Sequence, residues 1–385
     1  MGIYGGKTMN VPFLDLKAQY QSIRNEVNAA IQDILDNTSF ILGKSVQQFE
    51  KEFAKAHNVK NCVGTSSGTD ANHLALWALG IEPGDEIIIP ANTFIATAWG
   101  ATLCGAKPVF VDCHPDSYNI NPEKIEAAIT PKTKAIVAVH LYGQAAEMDS
   151  LRKIASEKNI LLLEDAAQAH LAEYKGNKVG GLSEVASFSF YPGKNLGAYG
   201  EAGAVVTNND ELAKKIIKLR EHGQSEKYHH ESFGHNYRME GIQGAVLGVK
   251  LKYLAGWTDQ RRNVATKYNE LLGKIDQISL PKELPGLKHV YHLFVIRVIG
   301  KNIEQREETR NKLQSFLSEN GIASGLHYPI PLHLQKCFKY LDHKKGDFPV
   351  TEDLAQSGLS LPMFAELKDD QIEYIASKIK EFFRK

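Results

Sequence analysis

The sequence predicts an α/β fold: a large domain with a mostly parallel mixed sheet under helices, followed by a smaller C-terminal α/β domain. Three observations carry this. Short, continuously apolar runs recur at 86–90 (EIIIP), 107–112 (KPVFVD), 134–141 (KAIVAVHL), 160–165 (ILLLED), 185–190 (VASFSF) and 203–208 (GAVVTN). Helical stretches such as 122–129 (PEKIEAAI) and 148–159 (MDSLRKIASEKN) lie between several of them. Apolar strands alternating with helices imply a parallel sheet buried on both faces. From about residue 256 the texture changes to a basic helical stretch, the run YHLFVIRVIG, a helix near 305–320 and a Pro/His-rich segment, GLHYPIPLHLQ. The domains are therefore drawn at 1–255 and 256–385.

Ahead of the strands, residues 18–36 space Ile23, Val27, Ala30, Ile31 and Ile34 along one helical face. A second helix, about 45–57, follows a break at Gly43. Residues 1–8, MGIYGGKT, lack the apolar core of a signal peptide and read as a floppy leader. No apolar run approaches the roughly 20 residues that span a bilayer. The 45 basic and 45 acidic residues balance, so the totals suggest no nucleic-acid or membrane-surface partner. Cys62, Cys104, Cys113 and Cys337 lack metal-finger spacing and read as buried free thiols, as a reducing cytoplasm would keep them. No metal site is expected.

In open parallel sheets the ligand site collects beyond the carboxyl ends of the strands. Three stretches there carry candidate chemistry. In GTSSGTDANHLALWALG (64–80), small and hydroxyl residues run into a helix start, an anion site above all for phosphate, with Gly68 allowing close backbone approach and Thr69 adding a hydroxyl. Plain capping by Ser66 or Ser67 explains the same residues. In LLLEDAAQAH (161–170), an acidic pair ends an apolar strand, where a carboxylate needs a partner. Asp165 could face a cationic ring nitrogen and Gln168 could bond the same ligand; a turn-capping Asp is the alternative. In SFYPGKNLGAYG (189–200), Lys194 lies among aromatics and glycines. Desolvation would make it an amine nucleophile able to join a carbonyl, and Ser189 could reach an anion; a solvated surface lysine is the alternative.

Together the three stretches offer what pyridoxal phosphate needs: a phosphate site, an acid for the pyridinium and a reactive lysine. Phe94, in PANTFIATA, is placed to stack on the ring. The glycine fingerprints of dinucleotide and P-loop sites are missing.

The assembly of motifs resembles the pyridoxal-phosphate-dependent nucleotide-sugar aminotransferases of the DegT/DnrJ/EryC1/StrS family, within the aspartate aminotransferase fold (PLP fold type I). The likeness runs from VPFLDLKAQY through GTSSGTDA, PANTFIATA, EDAAQAH, SFSFYPGKNLGAYGEAGAVVT and HNYRMEGIQGAVL to HYPIPLH and LSLPM, nearly the whole chain. The resemblance implies that Lys194 holds the cofactor and moves protons. It implies that Asp165 pairs with the ring nitrogen, Gln168 with the ring hydroxyl, and that Gly68, Thr69 and Ser189 bind the phosphate. Asn236 would reach the phosphate of a partner subunit's cofactor, making the active site a property of a homodimer. His327 and Tyr328 become candidates for sugar contact, with Tyr191, Tyr228, His229 and His230 as weaker ones, and Arg238 for the donor carboxylate. The implied reaction passes the amino group of L-glutamate to a dTDP-linked 3-keto-6-deoxyhexose in the cytoplasm, for lipopolysaccharide, S-layer or antibiotic glycans. UDP-linked 3-keto or 4-keto sugars are the alternative substrates. Relatives with histidine at the lysine position dehydrate sugars; lysine favours transamination. A non-catalytic regulator on this fold would be expected to lack Lys194 or Asp165.

Overall fold

The computed structural model describes residues 9–384, so the leader at 1–8 lies outside the described residues. Two helices, α1 (Leu16–Asp36) and α2 (Gly43–Ala56), come first. Strands and helices then alternate: β1 (Asn61–Thr65), α3 (Gly68–Ala78), β2 (Glu86–Pro90), α4 (Ile95–Leu103), β3 (Lys107–Val111), β4 (Thr133–Val139), α5 (Met148–Lys158) and β5 (Leu161–Asp165). Next come β6 (Glu173–Tyr174), β7 (Asn177–Lys178), β8 (Val185–Ser189), β9 (Gly203–Thr207), α6 (Asp210–Arg220), β10 (Gln224–Glu226), β11 (His229–His230) and α7 (Gly241–Leu251). The C-terminal part holds α8 (Leu254–Leu272), β12 (Ile278–Ser279), β13 (Leu287–Lys288), β14 (Phe294–Val298), α9 (Ile303–Glu319), α10 (Pro349–Ser357), β15 (Gly358–Leu361) and α11 (Asp369–Arg384).

The main sheet has seven strands in the order β1-β9-β8-β5-β4-β2-β3. Neighbours from β8 through β3 pair in parallel, and β9 runs antiparallel to both β8 and β1. Alternate residues of each apolar run feed opposite faces. Ile88, Ile136, Leu162, Ala186 and Val206 enter one core cluster, and Ile87, Val137, Leu163, Val185 and Val205 the other. Burial on both faces is what makes the runs continuously apolar. A third cluster joins α8, α9, α11 and the small sheet β12-β14-β15, and Val11 packs into it.

Three local expectations change. β1 escapes the apolar-run search because NCVGT offers only Cys62 and Val63 as apolar residues. Residues 122–129 form two 3-10 turns, Pro122–Lys124 and Glu126–Ala128, instead of an α-helix. Asn121 caps that start and Pro122 opens it, but the stretch is too short to propagate and closes with i+3 bonds such as Ala128 N to Ile125 O, 2.9 Å. The four cysteines are free, yet Cys337 is exposed rather than buried.

Candidate active site

Strand topology brings the carboxyl ends of β1, β2, β4, β5 and β8 to one edge of the sheet. Asp165 ends β5 and Ser189 ends β8, while α3 starts just past β1. Asp165 is 4% exposed. Its Oδ2 accepts from Thr97 Oγ1 at 2.7 Å and Asn72 Nδ2 at 3.1 Å, and its Oδ1 from the Ala167 amide at 3.1 Å. Ser187 Oγ in turn donates to Asn72 Oδ1 at 2.7 Å, so the carboxylate is oriented by a buried chain of polar groups. Its sequence neighbour Glu164 points into the opposite face of the sheet. It accepts from the Gly180 and Leu182 amides, Ser183 Oγ and His140 Nε2, all at 3.0 Å or less. Burial pushes the Glu164 carboxyl up, but these donors outweigh it and hold it below its usual value. The acidic pair therefore divides: Glu164 is consumed by the scaffold, while Asp165 lies at the strand end with three donors on its two oxygens.

Lys194 is half-buried on the turn after β8. Burial brings its amine down to about 8, against the opposing pull of the Asp165 charge. Such an amine has lost its proton on about half of the molecules near pH 8, far more than an ordinary lysine, and the free form is what a nucleophile requires. His327 and His292 sense the same lysine; burial first and the lysine charge second keep both rings neutral, His327 down to about 4.

At the start of α3, Ser67 caps by accepting from the Asp70 amide at 3.1 Å, so the capping reading holds there. Ser66 and Ser67 hydroxyls both donate to Asp70 Oδ2. Gly68 does more than begin a helix. A Cβ on it would lie 2.5 Å from Ser189 Cβ, and one on Gly203 would lie 2.7 Å from the Gly68 amide nitrogen. The absent side chains keep α3's first turn, with Thr69, directly beside Ser189. Helix N-termini made this close to a hydroxyl suit a phosphate.

Gln168 joins the two parts of the chain. Its Oε1 accepts from the Tyr142 amide at 2.8 Å and its Nε2 donates to Tyr328 Oη at 2.9 Å. The Tyr328 ring lies 5.6 Å from that of Phe94, which is itself 51% exposed. His327 stacks on Phe13 at 5.7 Å, and its Nδ1 meets Ser360 Oγ at 2.8 Å. Tyr142 Oη donates to the His327 carbonyl.

The remaining candidates lie on the surface of the single chain. Tyr191 is 54% exposed. Tyr228, His229 and His230 form the exposed hairpin β10–β11, with the Lys227 amine over the Tyr228 ring. Asn236 is exposed and bridges Glu221 through its backbone. Arg238 is half-buried in a bridge with Thr65, and its Nε has no hydrogen-bond partner. Sequence reasoning missed Asn72, Thr97, Tyr142 and Asn195. Of these only Thr97 carries a visible signal, a polar side chain within the apolar stretch FIATAW.

The DegT/DnrJ/EryC1/StrS aminotransferase family model matches residues 21–380. The chain belongs to this family. This aminotransferase is pyridoxal-phosphate-dependent, as the family is. It is 46% identical to a pleiotropic regulatory protein of Geobacillus stearothermophilus, over 98% of this chain and 99% of that one. It is 42% identical to the dTDP-3-amino-3,4,6-trideoxy-alpha-D-glucose transaminase of Streptomyces venezuelae, over 98% and 97% of the two chains. The structure of S. venezuelae DesV in complex with a ketimine intermediate superposes with a TM-score of 0.93 at 41% identity, covering 98% of this chain and 99% of that one. Among the described residues no helix is long and apolar enough to cross a membrane, and no cluster of His, Cys, Asp or Glu could hold a metal.

Proposed function

We propose that this aminotransferase moves the amino group of L-glutamate to a dTDP-linked 3-keto-6-deoxyhexose, releasing 2-oxoglutarate and a dTDP-3-amino-3,6-dideoxyhexose. One observation carries the reading: the amine of Lys194, lowered to about 8, feels the charge of Asp165, a buried carboxylate held by three donors, and both lie at the strand ends where Gly68 packs against Ser189. Those residues fit the cofactor. Gly68 packs so close to Ser189 that a Cβ would clash, which leaves the bare start of α3 beside the Ser189 hydroxyl, and the Asp165 carboxylate suits a protonated ring nitrogen. Bound there, pyridoxal phosphate supplies the electron sink for breaking a C–H bond beside nitrogen. The α3 amides, Thr69 and Ser189 would hold its phosphate, Asp165 its ring nitrogen, Gln168 its ring hydroxyl and Phe94 its face. Lys194 would anchor it covalently, and its amine would take the proton from one carbon and return it to another.

The 3-keto, dTDP-linked choice is supported by the likeness to a dTDP-3-amino-sugar transaminase. Tyr328 and His327 would line the sugar side, with the C-terminal part of the chain, divided at 255/256, closing over the cofactor-binding part. Asn236 would act in a homodimer, reaching the cofactor phosphate of a neighbouring subunit, while Tyr191, Tyr228 and His229 would line the sugar pocket and Arg238 would take the donor carboxylate. The setting would be cytoplasmic glycan precursor synthesis, for lipopolysaccharide or an S-layer. The regulator named among the relatives suggests another role, but Lys194 and Asp165 are both intact here.

The purified protein should show a yellow band that borohydride bleaches, absent in Lys194→Ala. Wild-type turnover by Lys194→Ala would overturn the proposal. A panel of dTDP- and UDP-linked 3-keto and 4-keto sugars with glutamate tests the substrate: turnover of the 4-keto or UDP-linked compounds alone would refute that choice.

A further inference from the structure

The turn that carries Lys194 is closed on itself. The Ala198 amide donates to the Phe190 carbonyl at 2.7 Å and the Lys194 amide to the Tyr191 carbonyl at 2.8 Å. A Cβ on Gly197 would lie 2.3 Å from the Pro192 carbonyl oxygen, so the backbone folds back with no room for a side chain. Two anchors hold this turn to the rest of the molecule. On one side Asn195 Nδ2 donates to the Val290 carbonyl at 2.9 Å, and its Oδ1 meets His292 Nδ1 at 3.2 Å. On the other side stands α7.

Helix α7 meets the turn at two points. Gln243 Oε1 accepts from the Tyr199 amide at 3.0 Å. One heptad later, Lys250 Nζ donates to the Gly197 carbonyl, three residues past Lys194, and lies 5.2 Å from the centre of the Tyr199 ring. A spacing of seven puts both side chains on the same helix face. Lys250 is 1% exposed. Burial pulls its amine down to about 8, with only the charge of half-buried Glu366 acting against it.

A buried ammonium without a contacting carboxylate is expensive, and a methionine would fill the same volume at lower cost. What methionine cannot supply is a donor for the buried Gly197 carbonyl. We propose that Lys250 is a positioning residue for Lys194: by holding the Gly197 carbonyl to α7, it fixes the turn that aims the Lys194 amine. This rests on the reading of Lys194 as the cofactor-anchoring lysine. α7 starts directly after the Asn236–Glu240 segment, so the helix that braces the lysine also continues from the segment proposed to reach the neighbouring subunit.

The test uses the holoenzyme of the wild type, Lys250→Met and Lys250→Gln, the last keeping an N–H donor. The measurements are kcat and KM for both substrates, the thermal midpoint and the visible circular dichroism of the bound cofactor. A wild type without a borohydride-sensitive band would defeat the underlying reading rather than this inference. With the band present, Lys250→Met is expected to lose about tenfold to a hundredfold in kcat, the scale of an ångström-level misplacement. Its KM values should stay within about twofold, the range of uniform binding left untouched. Its visible dichroism should change, and Lys250→Gln should recover most of both. Wild-type kcat and dichroism in a folded Lys250→Met refute the proposal, as does equal impairment of both variants. If only the methionine variant fails to fold, the glutamine variant decides: recovered kcat and dichroism support positioning, their loss refutes it. If neither folds, Lys250 is a fold determinant and the proposal falls.

Discussion

Acidification will destabilise this fold through its buried histidines, and His57 gives the cleanest measure. Its Nδ1 meets the Val179 carbonyl at 2.9 Å, so that nitrogen carries the proton. Its Nε2 is buried with no partner, and a second proton there would be an unpaired buried charge. Burial, aided by the nearby Lys178 charge, holds the ring down to about 4 from its ordinary 6.5. The folded pKa is thus depressed, and between those two values the unfolded chain binds more protons than the folded one. The contribution is intact above 6.5, is lost as pH falls through the window, and changes no further below 4. On going from pH 7.5 to pH 5 the loss from this residue is about 2 kcal/mol. His289, held down to about 3 chiefly by burial, adds a loss of the same sign. The assay is urea unfolding of wild type and His57→Phe at one protein concentration across that range. Rings of Phe53 and Phe188, with centroids 4.5 and 4.6 Å from that of His57, can receive the new side chain. The variant leaves the Val179 carbonyl unpaired and should be weaker by about 1–2 kcal/mol at pH 7.5. The two stability curves should then converge by about 2 kcal/mol towards pH 5. Curves that stay parallel would refute the assignment of the acid loss to His57.

Three further outcomes are expected. Asp165→Asn keeps the shape but sets an amide against the Thr97 and Asn72 donors; turnover should fall by about 10²–10⁴ and cofactor should dialyse away faster, whereas wild-type retention would count against Asp165 as the ring-nitrogen partner. Gly68→Ala forces a Cβ to within 2.5 Å of Ser189 Cβ, so cofactor affinity should drop and the fold weaken by about 1–3 kcal/mol, read from a cofactor titration and a thermal scan. Mixing inactive Lys194→Ala with inactive Asn236→Ala should regenerate activity in hybrid dimers that hold one site with both native residues; mixtures that remain dead under subunit exchange would argue against a shared site.

The parts of the site legible in the sequence are those that strand ends dictate. A parallel sheet sends every carboxyl end to one edge, so Asp165 and Ser189 could be assigned to one place from the positions of apolar runs, whereas the Gly68 turn follows β1, which has no such run, and stood out only by its hydroxyl-rich helix start. Lys194 stood out because glycines and aromatics enclose it, and the Pro192 carbonyl against Gly197 is the physical form of that enclosure. What stayed hidden depends on the third dimension. Asn72 and Thr97 sit on separate helices and meet only at Asp165 Oδ2. β1 has too few apolar residues to announce itself, since it is recognised by pairing with β9 and not by its own composition.

Lys250 marks where sequence reading stops. In GVKLKYL it stands two residues from Lys252, and composition cannot separate them. The helix does: Lys250 lies on the buried face with Gln243, Val246 and Leu247, while Lys252 is exposed and reaches Glu26 at 3.6 Å. The exposed lysine forms an ion pair of small value. The buried one has no such partner and instead spends its donor on a carbonyl three residues from the reactive amine. A charge kept in the interior without a counter-charge in contact has to be justified by geometry, and here that geometry belongs to the Lys194 turn.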